Sequence, residues 1–186
     1  KTKTFWEHAS ENNVRAKILR WPLTFPAGKI NGSLLAGLGV PDIQGRLSTY
    51  TFYTTDAAFQ SAEKKGRIIK VDVKDNRIST RIIGPVAATF TGMEEKALPV
   101  KIEISDGYIK CSIDGKASFT LYEGMWSEWI QLRFNLGFMR SVNGICRFFL
   151  KSIKPDFSLY ATPVNIADAT ESFPIAMPLN YIEELR

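Results

Sequence analysis

The sequence predicts a mainly β (α+β) fold, in which an antiparallel β-sandwich is flanked by a short N-terminal helix–strand unit and a proline-rich C-terminal segment. Three observations lead to this prediction. Apolar residues alternate with polar ones along several short segments, Asp-Gly dipeptides at 106–107 and 114–115 separate such segments, and a clear helical pattern stands at the N-terminus. Short strands joined by tight turns are typical of an antiparallel sandwich.

The first element is a predicted helix over residues 4–13. Thr4 is suited to be its N-cap and Glu7 stands three residues later, which is the capping-box spacing. An apolar stripe follows: Phe5, Trp6 and Ala9. The asparagines at 12–13 would end the helix, and residues 14–20 then alternate like a strand. One helix–strand unit cannot bury both of its faces, so we expect it to belong to a larger α/β core.

Residues 21–46 are predicted to form a long connection with turn chemistry throughout. The stretch contains three prolines and five glycines: Pro22, Pro26, Pro41, Gly28, Gly32, Gly37, Gly39 and Gly45. These residue types favour turns, and a connection of this length in a compact protein is usually functional or packed against another domain.

Strand-like composition begins at about residue 47. It marks seven segments: residues 49–54, 69–74, 78–82, 100–105, 109–113, 130–134 and 144–152. Asp75-Asn76 is predicted to be a turn, like the two Asp-Gly dipeptides. The tail is marked by four prolines: Pro155, Pro163, Pro174 and Pro178. A short helix over residues 180–186 is predicted to follow them.

The composition excludes several classes of function. The 186 residues include 24 Lys and Arg against 19 Asp and Glu, which gives a net charge of +5. One histidine, His8, and two cysteines exclude a His/Cys zinc site and a disulfide-dense scaffold, and they leave little for histidine-based catalysis. Four basic residues stand near phenylalanines: Arg133, Arg140, Arg147 and Lys151. They would suit nucleic acid, but the modest net charge argues against that partner.

Two further features bear on the environment of the chain. No apolar run approaches the roughly 18 residues of a membrane-spanning helix, and the basic first residues lack the apolar stretch of a signal peptide. We therefore expect a soluble protein without a membrane span, in a cytoplasmic or periplasmic compartment that the sequence leaves open. Cys111 and Cys146 lie in strand-like settings, as small buried hydrophobes or as a cross-strand disulfide.

Several stretches together resemble the alkaline phosphatase superfamily. They are Thr4-Phe-Trp-Glu, Arg20-Trp-Pro-Leu-Thr-Phe-Pro, Ile30-Asn-Gly, Ala36-Gly-Leu-Gly-Val-Pro-Asp, Leu159-Tyr-Ala-Thr-Pro-Val-Asn-Ile and Phe173-Pro-Ile. The most similar branch is the predicted phosphohydrolase/phosphomutase group, which is related to type I phosphodiesterases and nucleotide pyrophosphatases. The resemblance covers about residues 4–54 and 140–180. It implies that residues 1–46 are a helix–strand–loop piece of a host α/β core, that 47–156 are an inserted sandwich, and that 157–186 return to the core.

The resemblance also implies what the chain lacks. Family enzymes use a Thr or Ser nucleophile and two divalent metal ions, of the zinc or manganese type, held by Asp and His. Those motifs lie before and after the region represented here, so no catalytic residue, metal ligand or cofactor is assigned to this chain. Eight positions match the family loop: Pro22, Thr24, Phe25, Pro26, Gly37, Gly39, Pro41 and Asp42. The candidate substrate-proximal residues are Arg20, Pro22, Thr24, Phe25, Pro26, Gly37, Gly39 and Asp42. We expect this loop near the substrate opening; Ala27 replaces the family's second proline.

The leading interpretation is a non-catalytic insertion or cap fragment of a metal-dependent phosphohydrolase, inactive alone, that shapes substrate access or assembly. Its partners would be the remainder of its own polypeptide and a phosphate-bearing small molecule. The alternative is a lectin-like sandwich that binds carbohydrate, with Trp126 and Trp129 as stacking residues. A third interpretation is an autonomous sandwich hydrolase acting on glycans, although no pair of carboxylates is picked out for that chemistry.

Overall fold

The chain is mainly β, as predicted, in a computed structural model that describes residues 2–60, 66–89, 92–137, 140–171 and 173–185. In chain order the elements are helix α1 (Phe5–Glu11), strands β1 (Ala16–Trp21), β2 (Gly32–Ala36), β3 (Thr51–Thr54), β4 (Arg67–Lys70), β5 (Arg77–Thr89), β6 (Gly92–Ile104), β7 (Tyr108–Ile113), β8 (Ala117–Tyr122), β9 (Ile130–Gly137), β10 (Arg140–Cys146), β11 (Phe148–Ser152), β12 (Ser158–Ala161), β13 (Asn165–Ile166) and β14 (Ala176–Met177), and a 3₁₀ helix (Leu179–Leu185). They form two units: Lys1–Pro41 with Asp168–Arg186, and Asp42–Ala167.

Helix α1 begins at the predicted cap. The hydroxyl of Thr4 accepts a hydrogen bond from the Glu7 amide at 3.4 Å, and the Thr4 amide donates to the Glu7 carboxylate at 2.6 Å. The capping box is therefore confirmed. The helix ends at Glu11, two residues earlier than predicted, with Asn12 as its C-cap.

A sheet in the order β1-β2-β14 carries the first unit. β2 pairs in parallel with β1, with Ala16 opposite Gly32, and antiparallel with β14. Helix α1, the sheet and the connection between β1 and β2 share a small core: Trp6, Ile18, Ala27 and Leu34. The observed helix followed by a strand is the N-terminal unit that the sequence predicts.

Strand β2 lies inside the stretch 21–46, which the sequence assigned to a connection; that assignment is wrong for residues 32–36. A β-carbon on Gly32, where φ is +136°, would lie 1.8 Å from the Ala16 carbonyl oxygen, and one on Gly37 would lie 2.1 Å from that of Arg20. These glycines let two backbones approach each other rather than marking turns. Because β2 is the central strand, its burial shows no polar alternation.

The second unit contains three sheets among the described residues. Their orders are β11-β12-β3-β4, β5-β6-β7-β8 and β13-β10-β9. The β3–β4 pair is parallel and the other pairs are antiparallel. β4 ends at Lys70, so the alternation predicted over 69–74 is strand only in its first residues.

Two of the predicted turns are confirmed by positive φ angles, which few residue types adopt readily. Asp114 and Gly115 have φ of +51° and +66°, and Asp75 and Asn76 have φ of +50° and +57°. Two consecutive positive values are the signature of the type I′ turn, which matches the twist of paired strands and favours Asp, Asn and Gly. The 106–107 turn also stands between paired strands, β6 and β7.

Side chains from different sheets meet in the core of the second unit. Phe134 of β9 packs on Gly84 of β5, the rings of Phe119 and Phe148 are 5.3 Å apart, and the Tyr53 hydroxyl donates to the Arg81 carbonyl at 2.9 Å. Burial raises the pKa of Tyr53 well above its ordinary value, so its hydroxyl remains a donor.

Both cysteines are buried, free thiols. Cys111 is 3% exposed and Cys146 is fully buried, and neither forms a disulfide. Burial raises the pKa of each thiol to about 12. Of the two alternatives that the sequence left open, the structure has the small buried hydrophobe.

The chain enters and leaves the second unit at neighbouring points. The amide of Ile43 donates to the carbonyl of Val164 at 2.8 Å, so residues next to the two ends of the unit, Asp42 and Ala167, lie side by side. The predicted helix over 180–186 is a 3₁₀ helix over Leu179–Leu185; Arg186 lies outside the described residues. No helix in the described ranges is long and apolar enough to cross a bilayer.

Candidate functional site

The structure brings together two residues of the predicted substrate-proximal loop. The hydroxyl of Thr24 accepts from the Gly37 amide at 3.1 Å and donates to the Trp21 carbonyl at 2.7 Å. Thr24 is 8% exposed, so these bonds replace the water that the hydroxyl has lost. Thr24 therefore ties the start of the loop to its end.

The other loop residues have different settings. Arg20, Pro22 and Pro26 are exposed and Phe25 is half-buried. Gly39, with φ of +101°, stands beside the Leu23 side chain. These residues belong to the first unit, and no hydrogen bond from their side chains is recorded in the described part of the chain.

Asp42 belongs to the second unit. The residue is 3% exposed, and its carboxylate accepts three backbone hydrogen bonds, from Gln44 at 2.9 Å, Arg46 at 3.1 Å and Thr49 at 2.9 Å. Both carboxylate oxygens are thus used to shape residues 42–49. This geometry is that of an aspartate that stabilises a turn.

The described residues do not fit a two-metal centre. No group of three or more His, Cys, Asp and Glu side chains comes together within the described ranges. His8 lies exposed on α1, with its Nδ1 3.9 Å from the Glu11 carboxylate. We therefore assign no step of a reaction to metal ions held by these residues.

A basic groove lies between the edge strands β4 and β5. Its cavity has a volume of about 620 Å³, and its polar lining consists of Arg67, Lys70, Ser79, Thr80 and Arg81. Arg67 binds Glu95 through two hydrogen bonds of 3.1 Å and 3.0 Å. These bonds hold the pKa of Glu95 below its ordinary value, and the charges of Arg67, Arg81 and Arg46 act in the same direction.

The groove therefore has more cationic than anionic side chains. Among the described residues its lining has three cationic side chains, Arg67, Lys70 and Arg81, and no carboxylate, and Arg67 is paired with Glu95. The Lys70 ammonium donates to the carbonyls of Asp56 and Phe59 rather than to a carboxylate. An excess of positive charge in a concave, partly apolar surface favours an anionic ligand.

A second candidate surface is built around Arg147. Its guanidinium carbon lies 5.5 Å from the ring centroid of Trp126 and 5.7 Å from that of Trp129. The Trp126 ring also contacts Phe149, at 5.1 Å, and Tyr160, at 5.8 Å. We call these five residues the Trp–Arg surface. Trp126 is 45% exposed and Trp129 is 52% exposed.

Backbone pairing with β11 positions this surface. Ser127 and Phe148 exchange backbone and side-chain hydrogen bonds: the Ser127 amide donates to the Phe148 carbonyl at 2.8 Å, and the Phe148 amide donates to the Ser127 hydroxyl at 2.9 Å. The Arg147 Nε donates to the Ser127 carbonyl at 2.8 Å. The segment that carries both tryptophans is thereby fixed beside Arg147.

Sequence reasoning identified the two tryptophans but did not pair them with Arg147. The residues are separated by about twenty positions, and their proximity depends on the register between residues 126–127 and β11. The basic groove was missed for the same reason, since β4 and β5 belong to different sheets. No local pattern would have revealed either arrangement.

Comparison of the chain with protein-family models, with curated proteins and with solved structures finds no match. The resemblance to the alkaline phosphatase superfamily thus stays a prediction.

Proposed function

We propose that the chain is a non-catalytic insertion or cap fragment of a metal-dependent phosphohydrolase that cleaves phosphomono- or phosphodiesters. The main observation behind this proposal is a set of exposed apolar side chains on the first unit, which we call the apolar surface. The rings of Phe5 and Trp21 lie 5.5 Å apart and are 57% and 50% exposed. Leu23 and Leu38, joined by a backbone hydrogen bond of 2.7 Å, are 84% and 77% exposed.

We infer that the occupant of this apolar surface is the catalytic α/β core of the same polypeptide. Exposed apolar patches of this kind are typical of surfaces that other protein covers. The parallel pairing of β1 with β2 supports the same occupant, because parallel strands are usually found in sheets covered on both faces. The metal ions and the nucleophile of the reaction would then belong to that core.

The second unit has the connectivity of an inserted domain. Its ends meet at the Ile43–Val164 hydrogen bond, so it can interrupt a host chain without separating the host segments. Its basic groove, with Arg67 and Arg81, would suit the phosphate group of a ligand. The proposed role is therefore to shape which phosphate esters reach the catalytic core.

The test begins with the native protein purified from its source. We expect an intact mass well above that of 186 residues, hydrolysis of p-nitrophenyl phosphate or bis-p-nitrophenyl phosphate, and loss of hydrolysis with a chelator. The 186-residue chain should be inactive on both compounds. A native product of this length, or hydrolysis that survives chelation, would contradict the proposal.

A pair of variants tests the apolar surface. Leu23→Asp should lower the melting temperature of the native protein but leave that of the 186-residue chain unchanged, because Leu23 is exposed in this chain. Leu47→Asp is the matched control, since Leu47 is 64% exposed in the second unit. Leu47→Asp should change the melting temperature of neither protein. Equal effects of Leu23→Asp in both proteins would argue against a covering core.

A second candidate function is carbohydrate binding, which the exposure of Trp126 and Trp129 favours. Aromatic faces of this size stack on the apolar faces of sugars while their edges remain in water. A panel of neutral oligosaccharides titrated against the chain, with Trp126→Ala and Trp129→Ala, tests it. Weak binding that neither substitution changes would remove this candidate.

A further inference from the structure

The guanidinium of Arg147 is held in place but is not neutralised. One of its five N–H donors, Nε, binds the Ser127 carbonyl, and the backbone amide of Arg147 donates to the Thr162 hydroxyl at 3.0 Å. Within the described ranges Arg147 has no carboxylate partner, and its terminal nitrogens have no recorded hydrogen bond. The Arg147 guanidinium is therefore a cation in a fixed position whose terminal N–H groups can donate hydrogen bonds to a ligand.

The two tryptophans beside it have unequal roles. Trp126 contacts Phe149 and Tyr160 as well as Arg147, so its ring is part of a packed aromatic cluster. Among the described residues Trp129 has one ring contact, to Arg147, and about half of its surface is exposed. Trp129 is thus the ring of the Trp–Arg surface with the fewer contacts, whereas Trp126 packs against both the aromatic cluster and the Arg147 guanidinium.

We propose that the Trp–Arg surface binds a carboxylate-bearing sugar, of the uronic acid class. The apolar face of the sugar ring would stack on Trp129, and its carboxylate would accept two hydrogen bonds from the terminal nitrogens of Arg147. A planar carboxylate fits the planar guanidinium fork, which a lysine cannot reproduce. The inference rests on the carbohydrate-binding candidate and narrows its ligand class.

Other ligands use only part of this arrangement. A neutral sugar engages the ring and leaves the cation unused, whereas a simple carboxylate engages Arg147 alone. Single-stranded nucleic acid would combine stacking with phosphate contacts, but it is bound by a row of cations that follows its backbone. The Trp–Arg surface supplies one arginine.

The test compares two ligands that share the same sugar rings, one bearing charged carboxylates and the other neutral methyl esters. Trigalacturonate and its methyl ester are titrated against the chain by calorimetry at low salt. We expect the methyl ester to bind roughly tenfold or more weakly, because charge-assisted hydrogen bonds are about twice as strong as neutral ones. Added salt should weaken trigalacturonate binding and leave the ester unaffected.

Variants then assign the effect to the named residues. Trp129→Ala should weaken both ligands, whereas Arg147→Lys should weaken trigalacturonate and bring it close to the ester. Arg133→Lys is the matched control, since Arg133 is an exposed arginine elsewhere in the unit whose Nε bonds the Ser141 hydroxyl. It should leave both affinities unchanged. The comparison of the two ligands uses the unaltered chain, so it does not depend on the folding of a variant.

The remaining outcomes overturn the inference in distinct ways. Equal affinities for trigalacturonate and its ester would leave carbohydrate binding in place and remove the carboxylate. Binding of neither ligand, nor of the neutral panel, would remove both ideas. Tighter binding of hexathymidylate than of trigalacturonate would reassign the surface to single-stranded nucleic acid.

Discussion

The ring of Phe134 lies so close to Gly84 that a β-carbon at residue 84 would stand 2.2 Å from the ring atom Cδ1. Gly84 is buried in β5, where the pairing with β6 shifts register between Ile83 and Val86. The absence of a side chain at residue 84 thus allows a β9 aromatic ring to reach the backbone of another sheet.

Gly84→Ala should therefore destabilise the chain. Because the ring is fully buried, it has little room to move, and overpacking of this kind costs about 1–3 kcal/mol. Urea unfolding measures the loss. Gly28→Ala is the control, since no atom lies within 4 Å of a β-carbon there, and its effect should stay within about 0.5 kcal/mol. Equal effects would mean that the contact with Phe134 is unimportant.

Thr24→Val should destabilise the loop that it ties together, while Thr24→Ser should largely preserve it. Valine keeps the shape of threonine but leaves the Gly37 amide without its acceptor, at a cost of about 1–3 kcal/mol. Faster hydrogen exchange of the Gly37 amide in Thr24→Val, and not in Thr24→Ser, is the specific readout. Unchanged exchange in both variants would show that the hydroxyl is not what holds the loop.

The ion pair of Arg67 and Glu95 should make stability depend on pH. The pKa of Glu95 is lowered from 4.5 in the folded chain, so its contribution is present above the unfolded value and is lost as the pH falls through the folded value. Glu95→Gln should lower stability at pH 7 by less than about 1 kcal/mol, since the pair is partly exposed. Near pH 3 the difference should shrink.

Glu103→Gln provides the comparison for this prediction. Glu103 pairs with Arg77 at 3.3 Å, but both side chains are more than half exposed. We expect a smaller effect than for Glu95→Gln at neutral pH. Urea unfolding of the three proteins at both pH values makes the measurement, and a Glu95→Gln effect that grows on acidification would have the wrong sign.

The two thiols should be unreactive in the folded chain. Because burial raises the pKa of Cys111 and Cys146 to about 12, both remain protonated near pH 8, and the thiolate is the reactive form. A disulfide reagent should label them slowly until denaturant is added, and then label both. The same shifts imply that stability falls as the pH rises above about 9, where the unfolded thiols ionise. Rapid labelling of the native chain would contradict this prediction.

The sequence was informative where neighbours along the chain decide the structure. The capping box needs only Thr4 and Glu7, and the turn at 114–115 needs only an aspartate and a glycine. Both were predicted correctly because the physical cause lies within four residues. The mainly β fold follows from the same kind of local pattern.

The misses have non-local causes. Gly32 is required because Ala16, which lies on another strand, comes close to its backbone. The sequence around Gly32 suggests a turn, and the close packing becomes evident only once the pairing with β1 is known. Likewise, Arg147 meets Trp129 through the pairing of Ser127 with Phe148. Such contacts depend on the register between paired strands, and no single segment of the sequence determines that register.

The hydrogen bond between Ile43 and Val164 has a consequence for how the second unit could be handled as a module. A short peptide would join residues 43 and 164 directly, and new termini could be opened at an exposed turn such as 106–107. The unit is therefore a candidate for circular permutation and for transplantation into an unrelated host loop. The same property would let evolution gain, lose or exchange it as a single block.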